Sequence, residues 1–313
     1  MVVCLLILLC VDVFFVPNFI NPFSEETHAI PLLEIFRLPK ALTAILTGSA
    51  LAVSGFVLQQ LFKNQLAGPY ILGVSSGAGL MVTFFLVLQS FFSPFIVQLG
   101  LPFFGFLGAI GVLLLISLVS KKYGNSNIIL LLGVVLSMIL GAVQSLLVSL
   151  ANPQQLQSLS KWNFGSFSQV LGADLFLFSI LIGATCLFMF FKMGALSAMI
   201  LGNDVAQTLG VHVKKNSFYL LMAAGLLTGV STAYCGPIAF IGIAIPNVVK
   251  MIFKSVNFKL IFIANILLGA SMALLGDIVS SLPIFNYHLP INITTSLLGG
   301  PIIIYILLKN MQK

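Results

Sequence analysis

The segment GALSAMILGNDVAQTLGVHVKK, residues Gly194–Lys215, is the clearest polar interruption in a chain that is otherwise nearly continuous apolar sequence. Its length and pattern predict two short helices separated at Gly202. Gly210 is expected to end the second helix, because glycine adopts the left-handed conformation at no steric cost. Asn203 or Asp204 is expected to cap its start, since a short polar side chain can accept from the free N–H groups of a first turn. The segment (the elbow) is therefore predicted to be ordered.

The predicted elbow carries an apolar face. Leu201, Val205 and Leu209 are spaced four residues apart, which would place them on one side of a helix. An apolar face on an ordered segment between two membrane spans is a candidate docking surface for a protein partner. A surface loop that contacts nothing is the alternative.

The composition places the chain in a lipid bilayer. Of its 313 residues, 59% are hydrophobic and 7% are charged, whereas soluble domains carry about 25% charged residues. The sequence therefore predicts an all-α integral membrane protein with a single transmembrane domain over residues 1–313. Because a spanning helix needs about 20 apolar residues, ten spans are expected, at about 1–20, 40–60, 69–91, 100–120, 126–149, 171–191, 215–234, 239–253, 257–279 and 289–308.

The basic residues predict the orientation of these spans. If the N-terminus is inside, all of the fourteen Lys and Arg residues except Arg37, Lys40 and Lys161 lie on the inner side. This bias agrees with the positive-inside rule, and it places the elbow inside. The net charge of +7 is then an orientation signal, and nucleic acid is not expected as a partner.

Patterns that would support catalysis or metal binding are absent from the sequence. It contains no P-loop motif, its four cysteines lie in apolar runs without a CxxC pair, and its histidines lack metal-site spacing. No carboxylate falls at a predicted midplane, which argues against an ion-driven carrier. The chain is therefore predicted to be no enzyme and to bind no cofactor or metal, so that energy for transport would come from a partner.

Glycines in the second span and after the seventh predict close packing and a broken helix. Gly48, Ala52 and Gly55 form a stripe of small residues, which lets helix backbones approach closely in a membrane. Residues 234–242 interrupt the helix near the eighth span, and the backbone groups freed there must be covered by protein or face a water-filled cavity.

Two polar groupings are candidates for function. Gly141, Gln144 and Ser145 share one face of the fifth span, and such a face can line a transport pathway or join two helices. Arg37 and Lys40 are outward cations at the mouth of the second span. They could anchor the span to headgroups or bind an acidic partner outside the membrane.

Several stretches together resemble the FecCD family, the permease subunits of ABC importers for iron–siderophores, haem and vitamin B12. Each fragment is weak alone, but the set follows the family's order over nearly the whole chain. The sequence departs from the family pattern at Ser280 and Ser281, where an outward arginine is usual. The matching stretches include Arg37-Leu38-Pro39-Lys40, Leu51-Ala52-Val53-Ser54-Gly55, Leu72-Gly73-Val74, Trp162 with Gly165-Ser166, Leu201-Gly202, Leu209-Gly210-Val211, Gly236-Pro237-Ile238, Gly276-Asp277-Ile278, Leu289-Pro290-Ile291 and Gly299 with Pro301.

The resemblance implies a fold of ten transmembrane helices and a set of partners. It implies a dimer, with a second copy of this chain expected, two ABC ATPase subunits that use the ATP, and a periplasmic or lipid-anchored substrate-binding protein. The location implied is the cytoplasmic (inner) membrane of a bacterium. The alternatives are an ion-coupled secondary carrier that works without an ATPase, and a membrane scaffold that transports nothing.

The resemblance also implies roles for particular residues. Arg37 and Lys40 fall where the family keeps basic residues that meet acidic side chains of the binding protein. The elbow falls where the family couples to its ATPase. The implied coupling residues are Leu201, Gly202, Asn203, Asp204, Val205, Leu209, Gly210 and Val211.

Overall fold

The computed structural model describes residues 1–15, 33–123, 126–253, 257–282 and 289–311, and every element in these ranges is helical. Short π-helical turns, Val11–Phe15 and Leu33–Arg37, border the first undescribed range. The α-helices are, in chain order, α1 (Val2–Cys10), α2 (Leu38–Leu61), α3 (Val74–Leu88), α4 (Pro94–Gln98), α5 (Gly100–Tyr123), α6 (Ser126–Ser149), α7 (Pro153–Phe164), α8 (Gly172–Phe191), α9 (Met193–Ile200), α10 (Asn203–Thr208), α11 (Val213–Cys235), α12 (Ile241–Ile252), α13 (Phe258–Ser280) and α14 (Ile291–Met311).

The structure confirms an all-α membrane fold and divides the ten predicted spans into two groups. Within the described residues, 7 helices are long and apolar enough to cross a membrane, and they fall at the second to seventh and the ninth predicted positions. The first, eighth and tenth positions hold shorter apolar helices, Val2–Phe14, Ile241–Ile252 and Ile291–Ile306. Each of the ten predicted positions therefore holds an apolar helix within the described residues, and at the tenth the whole of α14, Ile291–Met311, has 21 residues, which is long enough to span.

Helix α2 lies at the centre of the fold because its glycines let neighbouring backbones touch it. A Cβ added at Gly48 would meet the carbonyl of Gly269 on α13, and one added at Gly269 would meet the carbonyl of Gly48. Further toward the C-terminus of the same helix, a Cβ added at Gly55 would meet the backbone of Gly242 on α12. The predicted small-residue stripe is thus the surface on which α2 packs against two helices.

A hydroxyl group fixes the third neighbour of α2. Ser54 Oγ donates to the carbonyl of Ala224 on α11 at 2.8 Å and lies 2.9 Å from Thr228 Oγ1. These groups are buried, and a buried hydroxyl is stable only when it is hydrogen-bonded. Helices α11, α12 and α13 therefore enclose α2, and 83% of its apolar stretch is buried.

The break predicted near the eighth span separates α11 from α12. Gly236 has φ +75° and Phe240 has φ +68°, so the chain turns sharply between the two helices. The freed backbone groups are covered by protein: Ser166 N–H donates to the Cys235 carbonyl at 2.9 Å, and Ala239 N–H donates to Asn292 Oδ1 at 3.2 Å. Sequence reasoning did not identify Asn292 as this partner.

Helices α6 and α8 differ from the centre because most of their surface is uncovered. Only 11% of the apolar stretch of α6 and 22% of that of α8 are buried. Such apolar surfaces suit contact with lipid or with another apolar helix.

Candidate functional site

The elbow has the two-helix form that its sequence predicts. Helix α9 ends at Ile200 and α10 begins at Asn203, and Gly202 between them has φ +127°, a conformation that other residues rarely adopt. After α10, Gly210 has φ +78°. Its N–H donates to the Gln207 carbonyl at 2.9 Å, and Val211 N–H donates to the Ala206 carbonyl at 2.9 Å. This hydrogen-bond pair is a Schellman motif, so Gly210 terminates the helix as predicted.

The predicted side-chain cap of α10 is wrong. Gly202 occupies the N-cap position, and no side chain accepts a hydrogen bond from the first turn. Asn203 and Asp204 come one and two residues later, inside the helix, where their side chains are exposed. Asp204 still stabilises the start of α10, because a negative charge in the first turn complements the helix dipole.

The elbow has one anchored side and one open side. Leu201, Val205 and Leu209 are 68%, 44% and 63% exposed. On the opposite side, Ala206 is fully buried and forms a small apolar cluster with Ala198 and Met199. The spacing of the three large side chains therefore gives an exposed apolar surface on the described part of the chain.

The anchored side connects the elbow to the rest of the protein. Leu61, at the end of α2, packs against the small elbow cluster and also against the main core. Val211 and Val213, which precede and begin α11, also pack against the elbow cluster. The elbow is thus in contact with the central helix and with α11.

The two cations that the sequence predicts to face outward lie in contacts within the chain. Lys40 Nζ is 2.7 Å from Asp277 Oδ2 and donates to Ser281 Oγ at 3.0 Å, while Arg37 NH1 donates to the Val13 carbonyl at 3.0 Å. Lys40 and Arg37 are half-buried, and Asp277 is buried. These contacts join the start of α2 to α13 and to the turn after α1. Asp277 belongs to one of the stretches that resemble the family, but the sequence does not predict its pairing with Lys40.

The three residues of the face predicted on the fifth span have different surroundings. Gln144 Nε2 donates to Thr83 Oγ1 on α3 at 3.1 Å, and its side chain lies against Gly79. Ser145 is exposed, and nothing lies within 4 Å of a Cβ added at Gly141. Gln144 therefore joins two helices, whereas Gly141 and Ser145 belong to the uncovered side of α6.

The described residues contain no group of three His, Cys, Asp or Glu side chains that could hold a metal ion. The four cysteines are free thiols. The elbow offers an exposed apolar face, and Arg37 and Lys40 offer charged groups.

Comparison with known proteins places this arrangement in a family. The model of the FecCD transport family matches residues 1–309. The chain is 32% identical over 278 residues to the hemin transport system permease protein HmuU of Yersinia pestis, covering 88% of this chain and 83% of that one. It is 32% identical over 299 residues to the vitamin B12 import system permease protein BtuC of Photorhabdus laumondii, covering 92% and 85%.

A solved structure gives the same result at the level of the fold. It represents an inward-facing conformation of a transporter assigned to the metal-chelate ABC type. The match has a TM-score of 0.89 with 27% sequence identity, and it covers 98% of this chain and 97% of that chain.

Proposed function

The chain belongs to the FecCD transport family, and we propose that it is the permease subunit of an ABC importer for an iron chelate, haem or cobalamin. The family match over residues 1–309 carries this conclusion. The substrate classes come from the relatives, which are named as hemin and vitamin B12 permeases. The chain would act as one transmembrane domain in the cytoplasmic membrane of a bacterium.

The partner ATPase would bind and hydrolyse ATP, and the elbow would be its docking surface. The support is the exposed apolar face of Leu201, Val205 and Leu209, since an exposed apolar patch on an ordered segment is typical of a protein interface. Gly202 and Gly210 fix the shape of this surface through their positive φ angles. Asn203, Asp204 and Val211 complete the proposed contact.

Movement of the elbow would reach the transport path through packed side chains. Leu61 contacts both the elbow cluster and the main core, and α11 begins directly after the elbow. A shift produced by ATP binding would therefore act on α2 and α11 together. The two helices would then switch between two packed arrangements, because packed interfaces are bistable.

A second copy of the chain would supply the other half of the path. The support is the uncovered side of α6, of which 11% is buried. Gly141 and Ser145 lie on this side, so the second copy would face them across the path. Gln144, which is hydrogen-bonded to Thr83 on α3, would hold α6 against α3 on the side away from the path.

Arg37 and Lys40 would meet acidic side chains of a substrate-binding protein. Exposed opposite charges steer docking and fix orientation more than they add affinity. Because Lys40 is paired with Asp277, an incoming carboxylate would share this cation with Asp277 rather than bind a free one. The docking contact and the position of α13 would then depend on each other.

Reconstitution tests the proposed function. The chain, its ATPase and its binding protein would be placed in liposomes and offered a ferric siderophore, haem and cobalamin. We expect ATP-dependent accumulation of one of them, and no accumulation when the P-loop lysine of the ATPase is replaced. Accumulation by this chain alone, driven by an ion gradient, would contradict the proposal and support a secondary carrier.

A labelling experiment tests the orientation on which the coupling depends. Asn203→Cys in a cysteine-free background should be unreactive toward an impermeant thiol reagent added outside intact cells, and it should react after the membrane is opened. Reaction from outside would show that the predicted topology is inverted, and it would exclude ATPase docking at the elbow.

A further inference from the structure

A cavity of about 1080 Å³ lies beside the elbow, on the side of the membrane where the sequence predicts that most lysines lie. Its walls come from four parts of the chain: the end of α2, the start of α6, α10 with the turn after it, and the first turns of α11. The exposed docking face formed by Leu201, Val205 and Leu209 lies outside this lining. Asn203, Gly210 and Val211 of the proposed ATPase contact do line the cavity, so the cavity borders that surface on the side away from its three large apolar side chains.

The rim of the cavity carries cations that have no carboxylate partner among the described residues. Lys214 and Lys215 line it and are both exposed. The ion pair found among the described residues joins Lys40 to Asp277, so neither of these lysines is neutralised within that part of the chain. His212, also exposed, lies beside them in the lining.

The position of the two lysines makes a bound anion more favourable. They occupy the first turn of α11, which contains no acidic residue. A helix N-terminus carries a partial positive charge and favours anions over cations. Two adjacent lysines at this end therefore repel both each other and the helix dipole, and a bound anion would relieve both effects.

An aromatic ring extends the basic rim to a third lysine. The Tyr219 ring centroid lies 5.9 Å from Lys215 Nζ and 5.6 Å from Lys192 Nζ. Lys192 Nζ also donates to Asn216 Oδ1 at 3.2 Å. Tyrosine with lysine is typical of the boundary between the hydrocarbon and the headgroups, so the rim has the chemistry of the inner membrane surface.

The deeper wall of the cavity is apolar. Phe62 and Ile129 are each 6% exposed, and both line the cavity together with the half-buried Leu61. An apolar wall below a basic rim fits a ligand with an anionic head and a hydrocarbon tail. A soluble anion would use the rim alone.

We propose that this cavity binds one anionic phospholipid of the inner leaflet. Its phosphate would lie at Lys214 and Lys215, and the first carbons of its acyl chains would lie against Phe62 and Ile129. Basic pockets between helices on the cytoplasmic side are suited to anionic headgroups. The lipid would bridge α2, α6 and α11 beside the elbow, and this inference does not depend on the transported substrate.

Binding of short-chain lipids to the purified full-length chain in neutral detergent tests the proposal. Dioctanoyl phosphatidylglycerol and dioctanoyl phosphatidylcholine would be titrated and detected by native mass spectrometry. We expect the anionic lipid to bind more tightly. The variant Lys214→Gln/Lys215→Gln should lose about thirtyfold in affinity for phosphatidylglycerol, because each lysine near a membrane surface contributes about fivefold.

Two matched variants control for net charge and for folding. Lys259→Gln/Lys309→Gln removes the same charge from the same predicted side, away from the cavity lining, and should leave the affinity unchanged. Lys214→Arg/Lys215→Arg keeps the charge and should keep the binding. Equal loss in all three double variants would overturn the proposal.

The remaining outcomes distinguish other occupants. Equal affinity for phosphatidylcholine would exclude recognition of the anionic head. Displacement of phosphatidylglycerol by inorganic phosphate at the same concentration would indicate a soluble-anion site. Loss of ATPase copurification in Lys214→Gln/Lys215→Gln, with phosphatidylglycerol affinity intact, would assign the cavity to the protein interface instead.

Discussion

Helix α2 and the elbow represent opposite uses of the same kinds of residue. In α2, glycine and serine are buried and allow three helices to approach one backbone; in the elbow, glycine shapes a turn that holds large apolar side chains in the open. Buried small residues make the stability of α2 sensitive to added volume. Substitutions on the exposed face of the elbow should change stability little, but by our proposal they should impair function strongly.

The largest loss of stability is expected where α2 meets α13. Gly48→Ala should destabilise the protein by about 3 kcal/mol or more, because the added Cβ would meet the Gly269 carbonyl and the two helices would have to separate. Thermal unfolding in detergent would measure this change. Gly183→Ala on α8 is the control: nothing lies within 4 Å of its Cβ, and the midpoint should stay the same or rise. Equal loss in both variants would show that α2 is not the packing centre.

A somewhat smaller loss is expected at the outer end of α2. Lys40→Met would leave the buried Asp277 carboxylate without its cation, at a cost of about 3 kcal/mol or less. Asp277→Asn should cost less, about 1 kcal/mol, because Lys40 is partly exposed and water can solvate it. The unfolding midpoints of the two variants measure this asymmetry. The reverse order would mean that Lys40, rather than Asp277, depends on the pair.

The next effect tests the two interpretations of the fifth span. Gln144→Leu removes the bond to Thr83, and it should lower the free energy of unfolding by about 0.6 kcal/mol, the usual value for such a bond in a membrane. Ser145→Ala should leave stability unchanged, since Ser145 bonds only the carbonyl of Gly141 on its own helix. Uptake measured beside unfolding separates the roles. A large uptake defect in Gln144→Leu at normal stability would assign this residue to the pathway.

The smallest change in stability, and the largest in function, is expected at the elbow. Leu201→Asp/Leu209→Asp alters exposed side chains, so the free energy of unfolding should change by about 0.5 kcal/mol or less. ATPase copurification and ATP-dependent uptake should nevertheless be lost, because charged groups replace the proposed apolar contact. Lys63→Asp, on another loop predicted to lie inside, is the control for added negative charge. Normal coupling in the elbow variant would refute docking at this face.

Local sequence patterns predicted most of the fold. The separation of the elbow at Gly202, its end at Gly210 and the stripe at Gly48 and Gly55 all depend on neighbours within a few residues, and these predictions are confirmed. The capping prediction failed for a local reason as well. Gly202 occupies the N-cap position, so Asn203 lies one residue inside the helix and its side chain does not cap the first turn.

The missed features depend on residues that are distant in sequence. Asp277 pairs with Lys40, Asn292 accepts from the Ala239 amide, and Gln144 reaches Thr83. The sequence identifies each of these residues as polar, but the packing of the helices determines its partner. The basic cavity could not be predicted at all, because four separate parts of the chain must meet before it exists.

The small cluster under the elbow has a mechanical consequence. Ala198, Met199 and Ala206 pack apart from the main core, and Leu61 is a side chain that touches both. Because Met193 and Leu196 on the same α9 are buried in the main core, a displacement of the cluster is passed on to the bundle. A force applied to the elbow would then reach α2 at its end, through Leu61. A force at the end of a helix produces the largest torque on it.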